Sequence, residues 1–364
     1  MKTKKKIGIF TLLSENYGNR LQNYAVQTVL KQYFEIVETI NVESIPYLVE
    51  SFKKIHGNIR FLSFLYPFLL KTKTMIKLIR DKKKKNFAIF DKRIAFSKKS
   101  VYISVHGYSK NIEHQYDAFC AGSDQIWNVQ WKTLCSINSF LPFKNDCKIS
   151  LSASFGVDDI ERSGDIARWL KDFKALSVRE EAGAKIIKKV CGRDAAVLID
   201  PVLMLSSEEW NAIAKKPKKM NDGPYVLTYF LSPMCDKAKV LFDKLKKNYA
   251  VVSLNDEKDL IAKYAGPSEF VYLFRNASLV LTDSYHACIF SFLFDKPFLV
   301  YDRNWTNSKM NSRLITFFDK FHLERKYAES KTLNDLWEHD YRESYELLKD
   351  ERKKAFDFLD SCFD

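Results

Sequence analysis

Polar side chains follow directly after several apolar, strand-like runs in this sequence, and the clearest example is a histidine. In LTDSYHACIF (281–290), an apolar run stops at Thr-Asp-Ser, His286 follows, and a second apolar run begins. A histidine in the first turn of a helix lies beside free backbone N–H groups, and its imidazole exchanges a proton near neutral pH. His286 and the neighbouring Ser284 are therefore candidates for anion binding or proton transfer; the alternative is a buried histidine that bonds to the backbone.

Two further candidates lie where predicted strands end in the first half of the chain. Arg179 closes the run ALSVR, and an arginine at a sheet edge holds a carboxylate or phosphate through two parallel hydrogen bonds. The alternative for Arg179 is a salt bridge to a neighbouring glutamate. Asp124 follows Ser123 in a tight turn, and would serve as a general acid or base if burial raised its pKa. The alternative for Asp124 is an Asx-turn, and Ser123 is a candidate substrate contact.

Two segments offer additional binding groups. The turn Asn16-Tyr17-Gly18-Asn19-Arg20 opens a predicted helix and suits a phosphate or a sugar hydroxyl, although it matches neither GxGxxG nor a P-loop. The alternative is an ordinary cap, in which Asn16 or Asn19 satisfies helix N–H groups. Lys309 and Arg313 are four residues apart, which places both cations on one side of a helix. They suit a phosphate, and the alternative is a solvated surface pair.

These residues need a scaffold that brings strand ends together, and the sequence predicts one. It opens with a strand (KIGIFTLL), a helix over 20–33 with apolar residues every four positions, and a second strand (FEIVETINV). Strand-like runs then alternate with short amphipathic helices, and a second alternating series begins at YVLTYFL. The expected fold class is α/β, with two Rossmann-like doubly wound domains facing a cleft, where ligands bind at the carboxyl ends of strands.

A polar, lysine-rich segment at 206–223 is the predicted domain boundary, since it contains Pro217 and Gly223 and interrupts the alternation. The expected organisation is an N-terminal Rossmann-like domain over 1–205 and a C-terminal Rossmann-like domain over 224–330. A basic helical insert is expected within the first domain at about 45–115. A charged helix is expected over 331–364.

The chain of 364 residues carries a net charge of +14, which favours an anionic partner. Residues 71–85 hold eight lysines or arginines against one aspartate, just after the apolar stretch FLSFLYPFLL. This stretch is a candidate for contact with an anionic membrane surface, and the alternative is a solvated helical hairpin. A nucleic-acid partner is not expected, because no RNA- or DNA-binding motif accompanies the cations.

The seven scattered cysteines form no CxxC pair, so reduced thiols of a cytoplasmic protein are expected. No zinc-ligand spacing occurs and the histidines do not cluster with the cysteines, so no metal site is predicted.

Taken in order, the motifs resemble the polysaccharide pyruvyl transferase family over roughly residues 6–325. The matching segments are IGIFTLLSENYGNRLQNYAVQTVL, YDAFCAGSDQIWN, ISLSASFG, LSVREEAGAKII, VLIDPVLML, ASLVLTDSYHACIFSFLFDKPFLVY and NSKMNSRLITFF. The family often has a glycine after the histidine, where this chain has Ala287.

The resemblance implies a GT-B-like fold and the transfer of pyruvate from phosphoenolpyruvate to two sugar hydroxyls, which gives a cyclic ketal in surface polysaccharide synthesis. It implies that Arg179 and His286 contact the donor, with Asp124 as a weaker acid or base candidate. Asn16, Gly18, Asn19, Ser123 and Ser284 would line the cleft, and Lys309 and Arg313 would add positive charge. The donor is a substrate, and no cofactor is expected.

The expected acceptor is a sugar or a lipid-linked saccharide, with the protein cytoplasmic and peripheral at the inner membrane. Two alternatives stay open from the sequence. One is a GT-B glycosyltransferase that uses a nucleotide sugar, and the other is a non-catalytic binding module of a polysaccharide assembly complex.

Overall fold

A computed structural model describes most of the chain. The described residues are 4–44, 81–98, 101–104, 107–108, 112–131, 139–161, 164–303, 312–323 and 334–363. Lys309, the apolar stretch 61–70 and the first ten residues of the basic stretch 71–85 lie outside these ranges.

The strands of the described ranges belong to three sheets. In chain order they are β1 Lys4–Phe10, β2 Phe34–Thr39, β3 Val42–Ser44, β4 Val101–Ser104, β5 Gly107–Tyr108, β6 Ala118–Asp124, β7 Lys148–Ala153, β8 Ser177–Val178, β9 Ala196–Val197, β10 Tyr225–Tyr229, β11 Ala250–Ser253, β12 Leu279–Thr282 and β13 Phe298–Val300.

Helices separate most of these strands. They are α1 Tyr17–Leu30, α2 Lys82–Asp91, α3 Gly164–Lys171, α4 Glu181–Cys191, α5 Pro201–Met204, α6 Ser207–Asn211, α7 Asp236–Asn248, α8 Pro267–Asn276, α9 Tyr285–Leu293, α10 Ser312–Lys320 and α11 Arg342–Phe363. Short 3₁₀ turns lie at Ile112–His114, Val129–Trp131, Ala262–Tyr264 and Asn334–Trp337.

The first sheet has six strands in the order β2-β1-β6-β7-β8-β9, and every neighbouring pair is parallel. Every residue of β6 and β7 is buried, as expected for central strands of a parallel sheet that helices cover on both faces. This sheet contains the predicted opening βαβ unit, whose helix runs over Tyr17–Leu30. The structure starts that helix three residues before the predicted start, because the Asn16 side chain caps it by accepting from Gly18 N at 2.8 Å.

The second sheet has four parallel strands in the order β11-β10-β12-β13. Its central strands β10 and β12 are fully buried. The prediction of an α/β fold with two Rossmann-like doubly wound parts is therefore confirmed. All six strands of the first sheet lie within 1–205 and all four of the second within 224–330, although the predicted domain limits themselves stay predictions.

A third, small sheet pairs β3, which comes just before the region predicted as an insert, with β4 and β5, which lie within that region. The same region contains α2, which contacts both halves of the molecule. The Arg20 Nε of α1 lies 2.8 Å from Asp91 Oδ1, while the Lys82 ammonium donates to Tyr264 Oη at 2.6 Å. The four lysines of the basic stretch that the structure describes, 82–85, therefore belong to a packed helix.

The last helix, α11, follows the second sheet in sequence but packs against the first half. Tyr33 Oη donates to Asp360 Oδ1 at 2.7 Å, and Lys174 Nζ donates to the Cys362 carbonyl at 2.7 Å. The Arg352 guanidinium donates to the carbonyls of Leu203 and Leu205 at 2.7 and 2.6 Å. The last helix thus returns to the first half after the chain has formed the second sheet, and it connects the two halves of the molecule.

Within the described ranges, no helix has both the length and the apolar character needed to cross a bilayer. Six of the seven cysteines are free thiols, and Cys135 lies outside those ranges.

Candidate active site

Three charged residues meet at the carboxyl edge of the six-stranded sheet. Asp124 is the last residue of β6, Arg179 follows β8, and Asp200 follows β9. The Arg179 guanidinium donates through Nη2 to Asp124 Oδ1 at 2.7 Å and through Nη1 to Asp200 Oδ2 at 2.8 Å. Parallel strands place their carboxyl ends at one edge, so residues 124, 179 and 200 become neighbours in space.

The polar partners of the Arg179 side chain within the described residues are all acidic groups. Its side chain has no solvent exposure, and Nε lies 3.8 Å from Glu180 Oε2 in addition to the two aspartate contacts. The sequence left open an anion grip or a salt bridge to a neighbouring glutamate. The structure provides salt bridges, and the two short ones are to aspartates that lie 55 and 21 positions away in the chain.

Asp124 is fixed in an uncommon backbone conformation, with φ of 65°. Aspartate tolerates this left-handed region better than most residues because its short side chain bonds locally. Asn19 Nδ2 donates to Asp124 Oδ2, and the backbone N–H of Gln125 donates to Oδ1 at 2.9 Å. Burial raises the pKa of Asp124, but Arg179, with His286 and Arg313, outweighs burial and holds that pKa well below its ordinary value. The condition for an acid role, a raised pKa, is therefore not met.

His286 brings the second half of the molecule to this cluster. It is the second residue of α9, directly after β12 and the turn at Asp283 and Ser284. His286 Nε2 lies 3.8 Å from Asp200 Oδ2 and, within the described residues, has no hydrogen-bond partner. Burial lowers the pKa of His286, and the charges of Asp200 and Asp124 only partly offset that effect.

The Nδ1 edge of the His286 ring lies against the start of α1. A Cβ placed on Gly18 would be 2.3 Å from His286 Nδ1, so only glycine leaves room there. The fold thus places the predicted turn at 16–20 directly beside His286. The same turn supplies Asn19 to Asp124, and Asn16 acts as the helix cap that the alternative interpretation expected.

Arg313 is the second buried arginine of the site. It lies in the first turn of α10, is only 6% exposed, and forms no ion pair within the described part of the chain. Its Nε is buried without a hydrogen-bond partner. Burial and the nearby Arg179 charge lower the pKa of Arg313 to about 10, which leaves it cationic at neutral pH.

Both arginines lie close to the ring of Tyr285. The Cζ of Arg179 lies 4.7 Å from its centroid and the Cζ of Arg313 lies 5.6 Å from it. A π face attracts cations, so this ring allows two like charges to be close together. Arg179 forms ion pairs with two aspartates, whereas Arg313 forms none within the described residues and its cation is favoured only by the more distant charges of Asp124 and Glu180.

The remaining predicted residues are placed as follows. Ser123 Oγ donates to Asp200 Oδ2 at 3.2 Å, so it belongs to the carboxylate cluster. Ser284 is the buried N-cap residue of α9 and makes no side-chain cap bond. Lys309 lies outside the described residues, so its predicted pairing with Arg313 stays a prediction.

Sequence reasoning missed the central position of Asp200 and the bridging role of Tyr285. In the sequence, the proline that follows Asp200 favours a structural role for this pair, and Asp200 does cap α5 by accepting from Val202 N at 3.0 Å. A signal was present, because Asp200 is a third charged residue that follows a strand of the same sheet. For Tyr285, no local pattern distinguishes a ring that contacts two arginines from an ordinary core aromatic.

The family model for polysaccharide pyruvyl transferases matches residues 16–304 of the chain. The chain belongs to the polysaccharide pyruvyl transferase family. The matched region contains Asn19, Asp124, Arg179, Asp200 and His286, and Arg313 lies just beyond it. No curated protein matches the chain.

Solved structures with a loosely similar fold include enzymes that act on nucleotide sugars. One is a proposed UDP-N-acetylglucosamine 2-epimerase from Listeria monocytogenes, at 10% identity over 100% of this chain and 97% of that one, with a TM-score of 0.48. Another is a UDP-glucosyltransferase from Polygonum tinctorium, at 10% identity over 100% of both chains, with a TM-score of 0.47. The UDP complex of MnaA from S. aureus has 11% identity over 95% of both chains and a TM-score of 0.38. Likeness at this level does not bear on function.

Proposed function

We propose that this member of the family transfers pyruvate from phosphoenolpyruvate to two hydroxyls of a sugar, forming a cyclic ketal and releasing phosphate. The observation that supports the proposal most directly is that Arg313 and His286 belong to one buried charged cluster and each has a ring or guanidinium nitrogen without a hydrogen-bond partner in the described residues. Arg313 forms no ion pair there, and only the more distant charges of Asp124 and Glu180 favour its cation. A buried cation that lacks a direct anionic contact is costly, and a bound anion would reduce that cost.

The donor carries a phosphate and a carboxylate, and we assign their recognition first to Arg313. The sequence interpretation gave Arg179 the grip on the donor. Both terminal nitrogens of Arg179 already donate to aspartates, so in our proposal Arg179 orders Asp124 and Asp200 and limits their negative charge. Arg313 retains donors for a planar anion, and arginine suits carboxylate and phosphate equally well.

The reaction needs a proton at the methylene carbon of the donor. In our proposal His286 delivers that proton, which leaves positive charge at the adjacent carbon, and the first sugar hydroxyl attacks there while losing its own proton. The carbon–oxygen bond to phosphate then breaks, and the second hydroxyl attacks the same carbon. Of the two hydroxyl protons, one restores His286 and the other leaves with phosphate. The donor is consumed as a substrate, and the scheme is written without a resident cofactor.

The lowered pKa of His286 fits this role in the bound state. The unliganded histidine is mainly neutral near pH 7, because burial and two arginines disfavour its cation. A multiply charged anion beside the ring favours the protonated form, since an opposite charge within ~4–6 Å raises a histidine pKa. Donor binding would therefore protonate His286, which then gives this proton to the methylene carbon of the donor.

Phosphate release is the decisive assay. We expect release of inorganic phosphate only when phosphoenolpyruvate and a sugar with a suitable diol are both present. His286→Ala should abolish it, while the matched control His114→Ala, whose side chain is 81% exposed, should retain wild-type activity. Equal rates of phosphate release in the two variants would show that His286 has no role in the reaction.

A thermal-shift measurement separates this proposal from a nucleotide-sugar enzyme. Phosphoenolpyruvate should raise the melting temperature, because a ligand that binds only the folded state stabilises it. Nucleotide-diphosphate sugars should leave it unchanged. A shift with nucleotide sugars and none with phosphoenolpyruvate would favour a glycosyltransferase, and no turnover with any donor would favour a non-catalytic module.

We further propose a cytoplasmic enzyme whose acceptor is a saccharide, lipid-linked and presented at the inner membrane surface. The basic stretch 71–85 supports this proposal by its charge. Sedimentation with vesicles tests it. Binding to vesicles should increase with their anionic lipid content and decrease with salt concentration. Binding that depends on neither would contradict an electrostatic contact.

A further inference from the structure

Helix α10, which supplies the second buried arginine of the site, contacts both halves of the molecule. It packs on α9 of the second half, where the ring centroids of Phe317 and Phe292 lie 5.9 Å apart. It also reaches the first half, because the backbone N–H of Glu181, the first residue of α4, donates to Thr316 Oγ1 at 3.3 Å. The hydroxyl of Thr316 thus connects α10 to the first turn of α4.

The start of α4 is not capped by its own N-cap residue. Glu180 occupies the N-cap position but makes no side-chain bond to the helix. Its Oε1 instead accepts from Ser154 Oγ at 2.7 Å and from the N–H of Phe155 at 3.1 Å. The first N–H groups of a helix have no partner within the helix, and a side chain at the N-cap position usually supplies one. Thr316 supplies an acceptor to α4 from the other half of the molecule.

Thr316 and Arg313 lie on one face of α10. Residues three and four positions apart are neighbours on a helix surface, so Arg313, Thr316 and Phe317 share a face. All three are buried, whereas Ile315, on another side of the helix, is 40% exposed. The same face meets Tyr285, whose ring centroid lies 5.6 Å from Arg313 Cζ and 6.1 Å from the centroid of Phe317. A bond at Thr316 therefore restricts rotation and sliding of α10, and with them the position of the guanidinium.

We propose that Thr316 is the positioning residue of Arg313: its hydroxyl caps α4 across the two halves and thereby holds the guanidinium where the donor anion binds. This inference rests on the proposed function, which assigns donor recognition to Arg313. Arginine binds a planar anion through a rigid fork of N–H groups, so the strength of binding depends on how the fork is oriented. Loss of the bond should therefore weaken donor binding more than it slows the chemical step.

The first test measures KM and kcat for phosphate release in Thr316→Val, which keeps the shape of the side chain and removes the hydroxyl. We expect KM for phosphoenolpyruvate to rise about 10-fold, the weight of roughly one hydrogen bond to a charged group, with kcat within about 2-fold of the wild type. Thr316→Ser keeps the hydroxyl and should have a KM close to that of the wild type.

The matched control for Thr316→Val is Ser206→Ala. It removes a hydroxyl that caps α6 from that helix's own N-cap position, through the N–H of Glu209 at 3.2 Å. Ser206→Ala should keep the wild-type KM. Equal KM values in Thr316→Val and Ser206→Ala, or a KM in Thr316→Ser as high as that in Thr316→Val, would overturn the proposal.

The second test measures stability and needs no turnover. Glu181 is the first residue of α4, where proline is tolerated, and Glu180 already has the extended conformation that precedes a proline, with φ of −136° and ψ of 147°. Glu181→Pro therefore removes the N–H donor of the bond, whereas Glu181→Ala removes only the side chain. Thr316→Val should lower the urea midpoint in the Glu181→Ala background and have little effect in the Glu181→Pro background. Equal changes in both backgrounds would show that this bond does not connect the two halves, and would overturn the proposal.

An anion titration separates failure of this inference from failure of the proposed function. Inorganic phosphate and phosphoenolpyruvate are each added to the wild type and to Thr316→Val while the melting temperature is followed. We expect the variant to need about 10-fold more of either anion for the same increase in melting temperature. Absence of phosphate release in the wild type would count against the proposed function alone, whereas equal titrations for the two proteins would overturn the role of Thr316.

Discussion

The contact between Gly18 and His286 gives a sharp prediction for a single added methyl group. In Gly18→Ala the new Cβ would lie 2.3 Å from His286 Nδ1, 2.7 Å from Cγ and 2.8 Å from Cε1. Non-bonded carbon atoms are most favourable at about 3.5–4.0 Å, so the ring or the start of α1 must move by roughly 1 Å.

The energetic and catalytic consequences of that movement differ in size. Overpacking a site costs about 1–3 kcal/mol, and alanine in a helix regains up to about 1 kcal/mol over glycine. We therefore expect Gly18→Ala to lose only about 0–3 kcal/mol of unfolding free energy. A displacement of about 1 Å at a reacting group costs on the order of 10²-fold in rate, so phosphate release should fall by about that factor.

The assays are urea unfolding and phosphate release, with two comparisons. The matched control is Gly164→Ala at the start of α3, where an added Cβ meets no atom within 4 Å. The second comparison is Gly18→Ala in the His286→Ala background, where the ring is absent and the methyl group should be neutral or stabilising. An unchanged rate in Gly18→Ala, or an equal stability cost in both backgrounds, would refute the packing of His286 against α1.

Three further predictions follow from the buried charges. Asp124→Asn should destabilise the protein by about 3–5 kcal/mol near pH 7, because it leaves Arg179 short of a partner. Since folding lowers the pKa of Asp124, its stabilising contribution is fully present above the unfolded pKa of about 3.9 and is lost as the pH falls through the folded pKa. Urea titrations at several pH values should therefore show that the difference in unfolding free energy between the wild type and Asp124→Asn becomes smaller in acid. A difference that does not change with pH would contradict the ion pair with Arg179. Lys148→Met should lower the unfolding free energy measured in urea by about 1–3 kcal/mol, because the carbonyls of Leu141 and Phe143 lose their donor. It should leave phosphate release unchanged, because Lys148 begins β7 at the sheet edge opposite the site. A large loss of rate in folded protein would contradict the distance between Lys148 and the site. Tyr285→Leu should raise KM for phosphoenolpyruvate about 2- to 10-fold more than Tyr285→Phe, which keeps the aromatic ring near both guanidiniums. Equal KM values for the two variants would exclude a role for that ring.

Much of the fold was readable from local patterns. The opening strand and helix, the alternation of strands and helices, and the second parallel series all follow from apolar periodicity, which depends on residues a few positions apart. The positions of Asp124, Arg179 and His286 after strands were also readable, because parallel sheets place such residues at one edge.

The pairing of side chains was not readable in the same way. From the sequence, the possible partners of Arg179 were a neighbouring glutamate or a bound anion. The order of strands in the sheet instead gives it two aspartate partners, Asp124 and Asp200. The acid or base role of Asp124 was conditional on a raised pKa, and the structure does not meet that condition. Burial alone raises it, but the guanidinium that tertiary structure adds lowers it by more.

The sequence by itself determined which residue types stand at the ends of strands, and therefore what chemistry the edge of the sheet has available. Tertiary structure decided how those charges are shared. It paired Arg179 with two aspartates, left Arg313 without an ion pair within the described residues, and set His286 between Gly18 and Asp200. The physical reason is distance: Coulomb and hydrogen-bond energies depend on separations of a few ångströms between residues that lie tens to hundreds of positions apart in the chain.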